Sequence, residues 1–493
     1  MEDSKPAFSH FLLSRSRFIQ RPFESNQEND GLFIGSLYSD NLRITSCPAY
    51  RRLQDKTQLF PLEKNDYART RLTHSCEVSS TARALASIIC HGLRGRKYIF
   101  SPAEADILSM STVNCGLLHD IGNPPFGHYG EDIIRSYFVK NWETLTCSGR
   151  KKTEQHKLSS IFKNSSEEYF DFAAFDGNAQ ALRIVTKLEN YNGDRGLNLT
   201  ASVLGGIIKY PFDSVAGKKK KKFGFFKSES DVIDFLNTQS AFFENQRNPV
   251  ALIMEAADDI CMFVSDFQDG VKKGCISYDD IAGFKSKRNK LITEFRDKEF
   301  IKAYKKNTSN KMHGDITLFT ITRLLNKLKN DLILECAGIF LFNADRIFNG
   351  ESPLVSPEDG TLTNKALLPL AHHYPIVEME KILIKDHVYN DPLIVKPELK
   401  GNTILTYLLD AFVKALLSKK CSELDTLDAK QTNDKYLQMI SKNYFRAYEE
   451  SLPIDGSYDL QKDIYGRLRL AVDQVCGMTD SYAEDLYLSL AGK

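Results

Sequence analysis

The chain lacks the features that mark secreted, membrane-spanning and zinc-ribbon proteins. Its ten cysteines are scattered, with no C-x-x-C pair. Neither a disulfide framework nor a zinc ribbon is expected, and reduced, mostly buried thiols fit better. Long apolar runs are missing too. The most membrane-like stretch, Leu332–Phe342, is eleven residues with Glu335 inside it, whereas a spanning helix needs about 20. Met1–Gln20 mixes charged residues with short apolar pieces and offers no secretory apolar core. Nor is there an excess of either charge: the net value of +1 draws neither nucleic acid nor an anionic membrane globally, so any polyanion must meet a local patch. A cytoplasmic protein with no membrane partner is the expectation.

Helical periodicity dominates what is present. Residues 72–90, 103–120, 177–189, 230–240, 248–272, 316–345, 364–390, 402–418 and 433–451 carry apolar positions three and four apart. Candidate strands are few and short, with Gly31–Gly35 and Lys97–Phe100 the best of them. The fold class is therefore mainly α. At 493 residues and 42% apolar content the chain can bury a large core and exceeds one minimal domain. Polar, irregular stretches are expected at 146–168, 213–229, 303–314 and 350–363, and apolar content drops most clearly near 300–315. This divides the chain into an N-terminal extension (1–44), a core (45–300) and a helical C-terminal region (301–493).

Two imidazoles and two carboxylates stand in helix-patterned segments. His74 lies in R-T-R-L-T-H-S, His119 and Asp120 in G-L-L-H-D-I-G-N-P-P-F-G-H, and Asp258 in E-A-A-D-D-I. Such a set suits one divalent ion with octahedral preferences (Mn, Mg, Co, Ni or Fe), leaving positions for water and a substrate oxygen. Helix 103–120 opens at Ser101-Pro102 and stops at Gly122 and Pro124, which puts His119 and Asp120 in its last turn. Asp258 falls among Ile253, Met254, Ala257, Ile260, Cys261 and Val264. A carboxylate in that apolar stripe must be paired or metal-bound, because a lone buried charge is costly.

Those three segments resemble the HD-domain metal phosphohydrolases, specifically the deoxyguanosine triphosphate triphosphohydrolase family, from about Ser46 to Gly270. The resemblance implies a helical HD-domain core with His74, His119, Asp120 and Asp258 as metal ligands. It also implies hydrolysis of dGTP, and of other dNTPs as a wider range, to deoxynucleoside and inorganic triphosphate. His128, in the G-N-P-P-F-G-H-x-x-E phrase, resembles the family's catalytic histidine, with Glu131 to orient it or tune its pKa. Arg71 would meet the α-phosphate, for which a planar, always-charged guanidinium is suited. Gln58 and Asp266 resemble residues that contact the deoxyribose. The F-D-G-N-A-Q phrase would line the pocket through Asp176, Asn178 and Gln180. A C-terminal region completing the pocket and a homo-oligomer, a hexamer above all, are also implied. Met262 departs from the pattern: the family usually has a tyrosine under the sugar there, so base and ribose selectivity stay open.

One dense basic patch, Lys218–Lys222, runs into Phe223-Gly224-Phe225-Phe226-Lys227. Its lysines, or Lys209, could hold the β- and γ-phosphates. Phenylalanines among lysines also suit single-stranded DNA, an effector that stacks on exposed rings. Two rival readings are a catalytically weak nucleotide sensor or single-strand binder, and an HD nucleotidase or phosphodiesterase.

Overall fold

Apolar spacing of three and four becomes helix along most of the chain. The computed structural model describes residues 30–63, 65, 67–94, 102–148, 155–191, 194–239, 246–284, 290–309, 315–351, 354–363, 366–419, 432–453 and 457–492. The helices that build the site are α1 (Asp30–Ser46), α2 (Arg71–Arg94), α3 (Pro102–Leu118), α4 (Gly127–Asn141), α5 (Gly177–Arg183), α6 (Ala201–Ile207) and α7 (Pro249–Lys272). The C-terminal half adds α8 (Ile316–Phe342), α9 (Tyr374–Leu383), α10 (Pro392–Leu417), α11 (Leu460–Cys476) and α12 (Asp480–Ala491). The described strands form only three two-stranded antiparallel ribbons: 146–148 with 155–157, 190–191 with 194–195, and 354–355 with 362–363.

Helix α2 packs against α3, α7 and α8, and α3 also meets α1, α6 and α7. Val78, Ala82, Leu85 and Ile89 of α2 recur at helical spacing and are fully buried, which fixes the face turned to α3. Helix α7 starts where Asn248 caps it through the Val250 N–H and Pro249 takes the first turn. Its end is set by Gly274 at φ +75°, a left-handed backbone that glycine adopts freely. The C-terminal helices close over the core: α10 packs on α4, α11 and α12. No described helix is long and apolar enough to cross a membrane.

Several expectations shift. Gly31–Gly35 is helix rather than strand, within α1. Leu37, Asp40 and Ile44 share one buried face of that helix, and its packing on α3 overrides the local strand pattern. Lys97–Phe100 lies outside the described residues. The polar run at 303–309 is a helix (Lys302–Ser309) packed on α8, and Asn307 is buried there with its amide on Thr320 Oγ1. Helix 402–418 begins ten residues early at Pro392, because Asp391 caps the Leu393 N–H. Helix α3 ends at Leu118, so His119 and Asp120 lie in the turn just beyond it.

Candidate active site

Three helix segments deliver the donor atoms. Arg71 opens α2 and His74 follows within its first turn; His119 and Asp120 leave the end of α3; Asp258 sits mid-way along α7. His74 Nε2 lies 3.2 Å from Asp258 Oδ1, and His119 Nε2 lies 3.4 Å from the same oxygen. One donor atom from each of the three falls within 4.8 Å of the others. His119 Nδ1 donates to the Gly116 carbonyl at 2.8 Å, so Nε2 is the atom turned toward the carboxylates. That Nε2 is buried and makes no hydrogen bond of acceptable geometry. An orphaned imidazole nitrogen beside a carboxylate is what a metal ligand leaves, and the donor set fits a divalent cation.

Electrostatics agree. Burial alone would lower the His119 pKa, yet Asp120 and Asp258 outweigh it and raise it to about 9. The pocket therefore favours positive charge between these groups. Burial opposes ionisation of Asp258 as well, but His119 and Lys209 hold its carboxyl well below the usual range. Lys209 Nζ reaches Asp258 Oδ2 at 3.4 Å and Glu255 at 3.9 Å.

Asp120 does not join the compact trio. Its Oδ2 accepts from Arg71 Nη1 at 2.6 Å and its Oδ1 from Asn123 Nδ2. These two donors draw the carboxylate aside, although Oδ2 is still 3.5 Å from His119 Nε2. Three of the four expected ligands converge, and the fourth bridges them to Arg71.

All of these residues line one cavity of about 570 Å³, together with Gln58, His128, Asn178, Lys209, Met262 and Asp266. The His128 side chain is 70% exposed and its Nδ1 is 3.4 Å from Glu131 Oε2. Glu131 itself is buried, off the cavity wall. It accepts from Arg135 Nη2 at 2.7 Å and from the Gly177 N–H at 2.8 Å. Burial pushes its pKa up, but His128, Lys222 and Arg135 prevail and hold it at about 2. Gln58 Oε1 and Asp266 Oδ1 are buried with no hydrogen-bond partner among the described residues, and both residues line the cavity. Burial, aided by Asp269, raises the Asp266 carboxyl to about 8.

Gly127 is dictated twice over in this wall. Its φ is +57°, and a Cβ there would sit 2.4 Å from Arg71 Nη2. Phe126 before it also has φ +62°, a conformation that costs a non-glycine residue about 1–3 kcal/mol and needs external support.

Gln180 falls outside the cavity. It is fully buried, donating to Asp473 Oδ1 at 2.9 Å and accepting from Arg469 Nη2 at 2.6 Å; burial in that network excludes contact with a ligand. Asp176 caps α5 through the Asn178 N–H and also receives the Phe223 N–H. The lysine run divides. Lys222 reaches the cavity, 3.9 Å from Glu131 and 3.8 Å from Asp176, whereas Lys218 lies over the Phe170 ring. Phe223 and Phe226 are fully buried and pack on each other at 5.4 Å. Those two rings belong to the core and are not offered for stacking, whereas Phe225 between them is half-buried.

Sequence reasoning missed Tyr210, Asp259, Tyr389 and Glu398, all on the cavity wall. The last two arrive from the C-terminal half, more than a hundred residues past Asp258, and no local motif announces them. Tyr389 lies beside Asp266, which together with burial raises its hydroxyl to about 12.

Two histidines and an aspartate meet on one polar cavity of a mainly α-helical protein, a group that could hold a metal ion. No protein-family profile matches the chain. Relatives do: it is 35% identical over 465 residues to a deoxyguanosinetriphosphate triphosphohydrolase-like protein of Listeria innocua, covering 92% of this chain and 93% of the relative. It is 31% identical to the deoxyguanosinetriphosphate triphosphohydrolase of Salmonella arizonae, covering 92% of each. A probable deoxyguanosinetriphosphate triphosphohydrolase of Pseudomonas aeruginosa is 31% identical, over 97% of this chain and 98% of the relative. The chain belongs to the deoxyguanosinetriphosphate triphosphohydrolase family.

Proposed function

We propose that the protein hydrolyses dGTP to deoxyguanosine and inorganic triphosphate, with one divalent ion held by His74, His119 and Asp258 and flanked by Asp120. The observation that carries this reading is the meeting of that trio with Arg71 and the His128–Glu131 pair on one cavity. A bound divalent ion supplies Lewis-acid polarisation and lowers the pKa of a water from 15.7 toward about 7.

The chain's own residues do the rest. Arg71, fixed on Asp120, offers its remaining N–H groups to a non-bridging α-phosphate oxygen. The water oxygen bonds to the α-phosphorus, its proton passing to solvent, and the bond from phosphorus to the 5′ oxygen breaks. The departing 5′ oxygen is strongly basic and takes a proton from His128 Nε2, while Glu131 holds Nδ1. Lys209, Tyr210, Lys222 and Asn178 face the β- and γ-phosphates. Gln58 and Asp266 meet the deoxyribose through their unpartnered oxygens, and Tyr389 supplies a ring and a hydroxyl near the position where Met262 has none. Glu398, on the same wall, can accept the N1–H and N2–H of guanine, which adenine does not offer.

Other dNTPs remain candidate substrates wherever Met262 relaxes the fit. Residues 45–300 act as the catalytic core, and the region from 301 onward completes the pocket through Tyr389 and Glu398. A homo-oligomer, a hexamer by family resemblance, is part of the proposal and is checked by light scattering. Incubation with a dNTP panel in ¹⁸O-labelled water tests the chemistry. Label in inorganic triphosphate and none in the nucleoside is expected. Monophosphate with pyrophosphate, or diphosphate with phosphate, overturns the reading.

A further inference from the structure

Two buried charged side chains that the chemistry above does not use converge on the turn between α11 and α12. Asp480, 2% exposed, accepts the Phe126 N–H on Oδ1 at 2.9 Å. Its Oδ2 accepts the Thr57 N–H at 3.0 Å and the Thr57 hydroxyl. Lys56, 3% exposed, donates to the Asn123 carbonyl at 2.6 Å and to the Cys476 carbonyl at 2.8 Å. The Lys56 carbonyl in turn receives the Arg71 N–H at 3.1 Å. Two side chains thus join the segment bearing Gln58, the start of the Arg71 helix and the Pro-Pro-Phe-Gly-His loop to the C-terminal end of the chain.

We infer that Asp480 and Lys56 are positioning residues, a clamp by which the C-terminal turn sets the catalytic loop and the Gln58 segment against each other. The need for one is visible in the loop. The His128 side chain is 70% exposed, so little packing fixes it; its place is set by its backbone and by Glu131. That backbone follows Phe126 and Gly127, both with positive φ, and the N–H held by Asp480 belongs to the strained Phe126. On the other side of Phe126, Gly401 of α10 lies so close that a Cβ there would be 2.8 Å from the ring. Asn123, whose carbonyl Lys56 holds, also donates its amide to Asp120. Displacement of this loop therefore reaches His128 and Asp120 together. A carboxylate is required at 480, since both of its oxygens accept from N–H or O–H donors and an amide would present a donor to one of them.

The inference rests on the proposed triphosphohydrolase reading, and its test separates the two. The full-length protein is assayed with dGTP, in the metal that supports the wild-type rate, beside Asp480→Asn, Lys56→Met and Ser481→Ala. The Ser481 hydroxyl also joins this turn to the Lys56 segment, through Asp55, but it bonds none of the Asp480 or Lys56 partners. Misplacement by about 1 Å can cost about 10²-fold, so Asp480→Asn is expected to lose that much in kcat. Its KM should be nearly unchanged, its melting should remain one cooperative transition at a somewhat lower midpoint, because a buried donor is left mismatched, and Ser481→Ala should match wild type. A folded Asp480→Asn protein with wild-type kcat overturns the clamp, as does an equal loss in Ser481→Ala. If Asp480→Asn does not melt cooperatively, Lys56→Met is judged by the same criteria, and unfolding of both assigns the pair to docking alone and overturns positioning. Absence of triphosphate from the wild-type reaction counts against the functional reading. Hydrogen exchange then still decides the clamp: in Asp480→Asn, faster exchange confined to the Thr57 and Phe126 amides supports it, and unchanged exchange overturns it.

Discussion

Asp258 faces two imidazoles through one oxygen and the Lys209 ammonium through the other, while Asp259 next to it feels Lys209 only at longer range. Burial raises the Asp259 carboxyl to about 7, the behaviour of a group without a committed cation. Asp258→Ala is therefore expected to strip bound metal, measured by elemental analysis, and Asp259→Ala to retain it; the reverse result reassigns the pair. His128 has a different signature, exposed at its tip and anchored at Nδ1. His128→Ala should lower kcat by about 10²–10⁴, the range for loss of a general acid or base, with KM for dGTP little changed. A large rise in KM at constant kcat would move His128 from proton transfer to binding.

The helices carry a second kind of buried charge, one without function in the site. Glu380 of α9 is fully buried and neither carboxylate oxygen has a hydrogen-bond partner among the described residues. Desolvation raises its pKa well above the ordinary value of 4.5. The folded state therefore keeps a proton that the unfolded chain releases above about pH 4.5, and folding loses stability as pH rises beyond that point. Glu380→Gln removes this penalty. Chemical denaturation should show the variant equal to wild type near pH 4 and more stable at pH 8, by about 1.4 kcal/mol for every tenfold by which burial weakens the acid. A gain that is the same at both pH values would assign the effect to packing.

Across the whole molecule, the two halves are joined by charges as well as by apolar contact. Arg183 of α5 donates to both oxygens of Asp473 in α11 at 2.7–2.9 Å and to Glu229 at 2.9 Å, all of them buried. Glu229 and Asp473 both overcome burial and hold the Arg183 guanidinium above its usual range. Breaking such a pair leaves an uncompensated buried charge and costs about 3–5 kcal/mol. Asp473→Ala should lower the melting temperature of the whole chain in one transition, read by calorimetry. Two separate transitions, with only the later-sequence half affected, would show that the halves fold apart.

Much of this protein was legible in its sequence because the informative features are local. Period-three-and-four apolar spacing gave the helices, since a helix face is defined by residues one turn apart. The three histidine and aspartate segments, with G-N-P-P-F-G-H-x-x-E, pointed to His74, His119, Asp120 and Asp258 and to the His128–Glu131 pair, all but Glu131 on one cavity wall, because each segment folds as one short piece around its donor. What neighbours in space decide was hidden. Asp120 lies 3.5 Å from His119 Nε2, yet its two oxygens also accept from Arg71 and Asn123, partners that its own segment does not announce. Gln180 stands in a pocket-like phrase, yet Asp473 and Arg469 take it into the core. Of the three phenylalanines after the lysine run, burial takes Phe223 and Phe226 into the core and leaves Phe225 half-buried. Tyr389 and Glu398 come from segments with no motif and are brought to the cavity by the packing of the C-terminal half, and Asp480, equally unannounced, is buried against Thr57 and Phe126 behind it. Sequence by itself determined which side chains can do chemistry; tertiary packing alone decided which of them share a cavity, because that depends on burial and on partners hundreds of residues away.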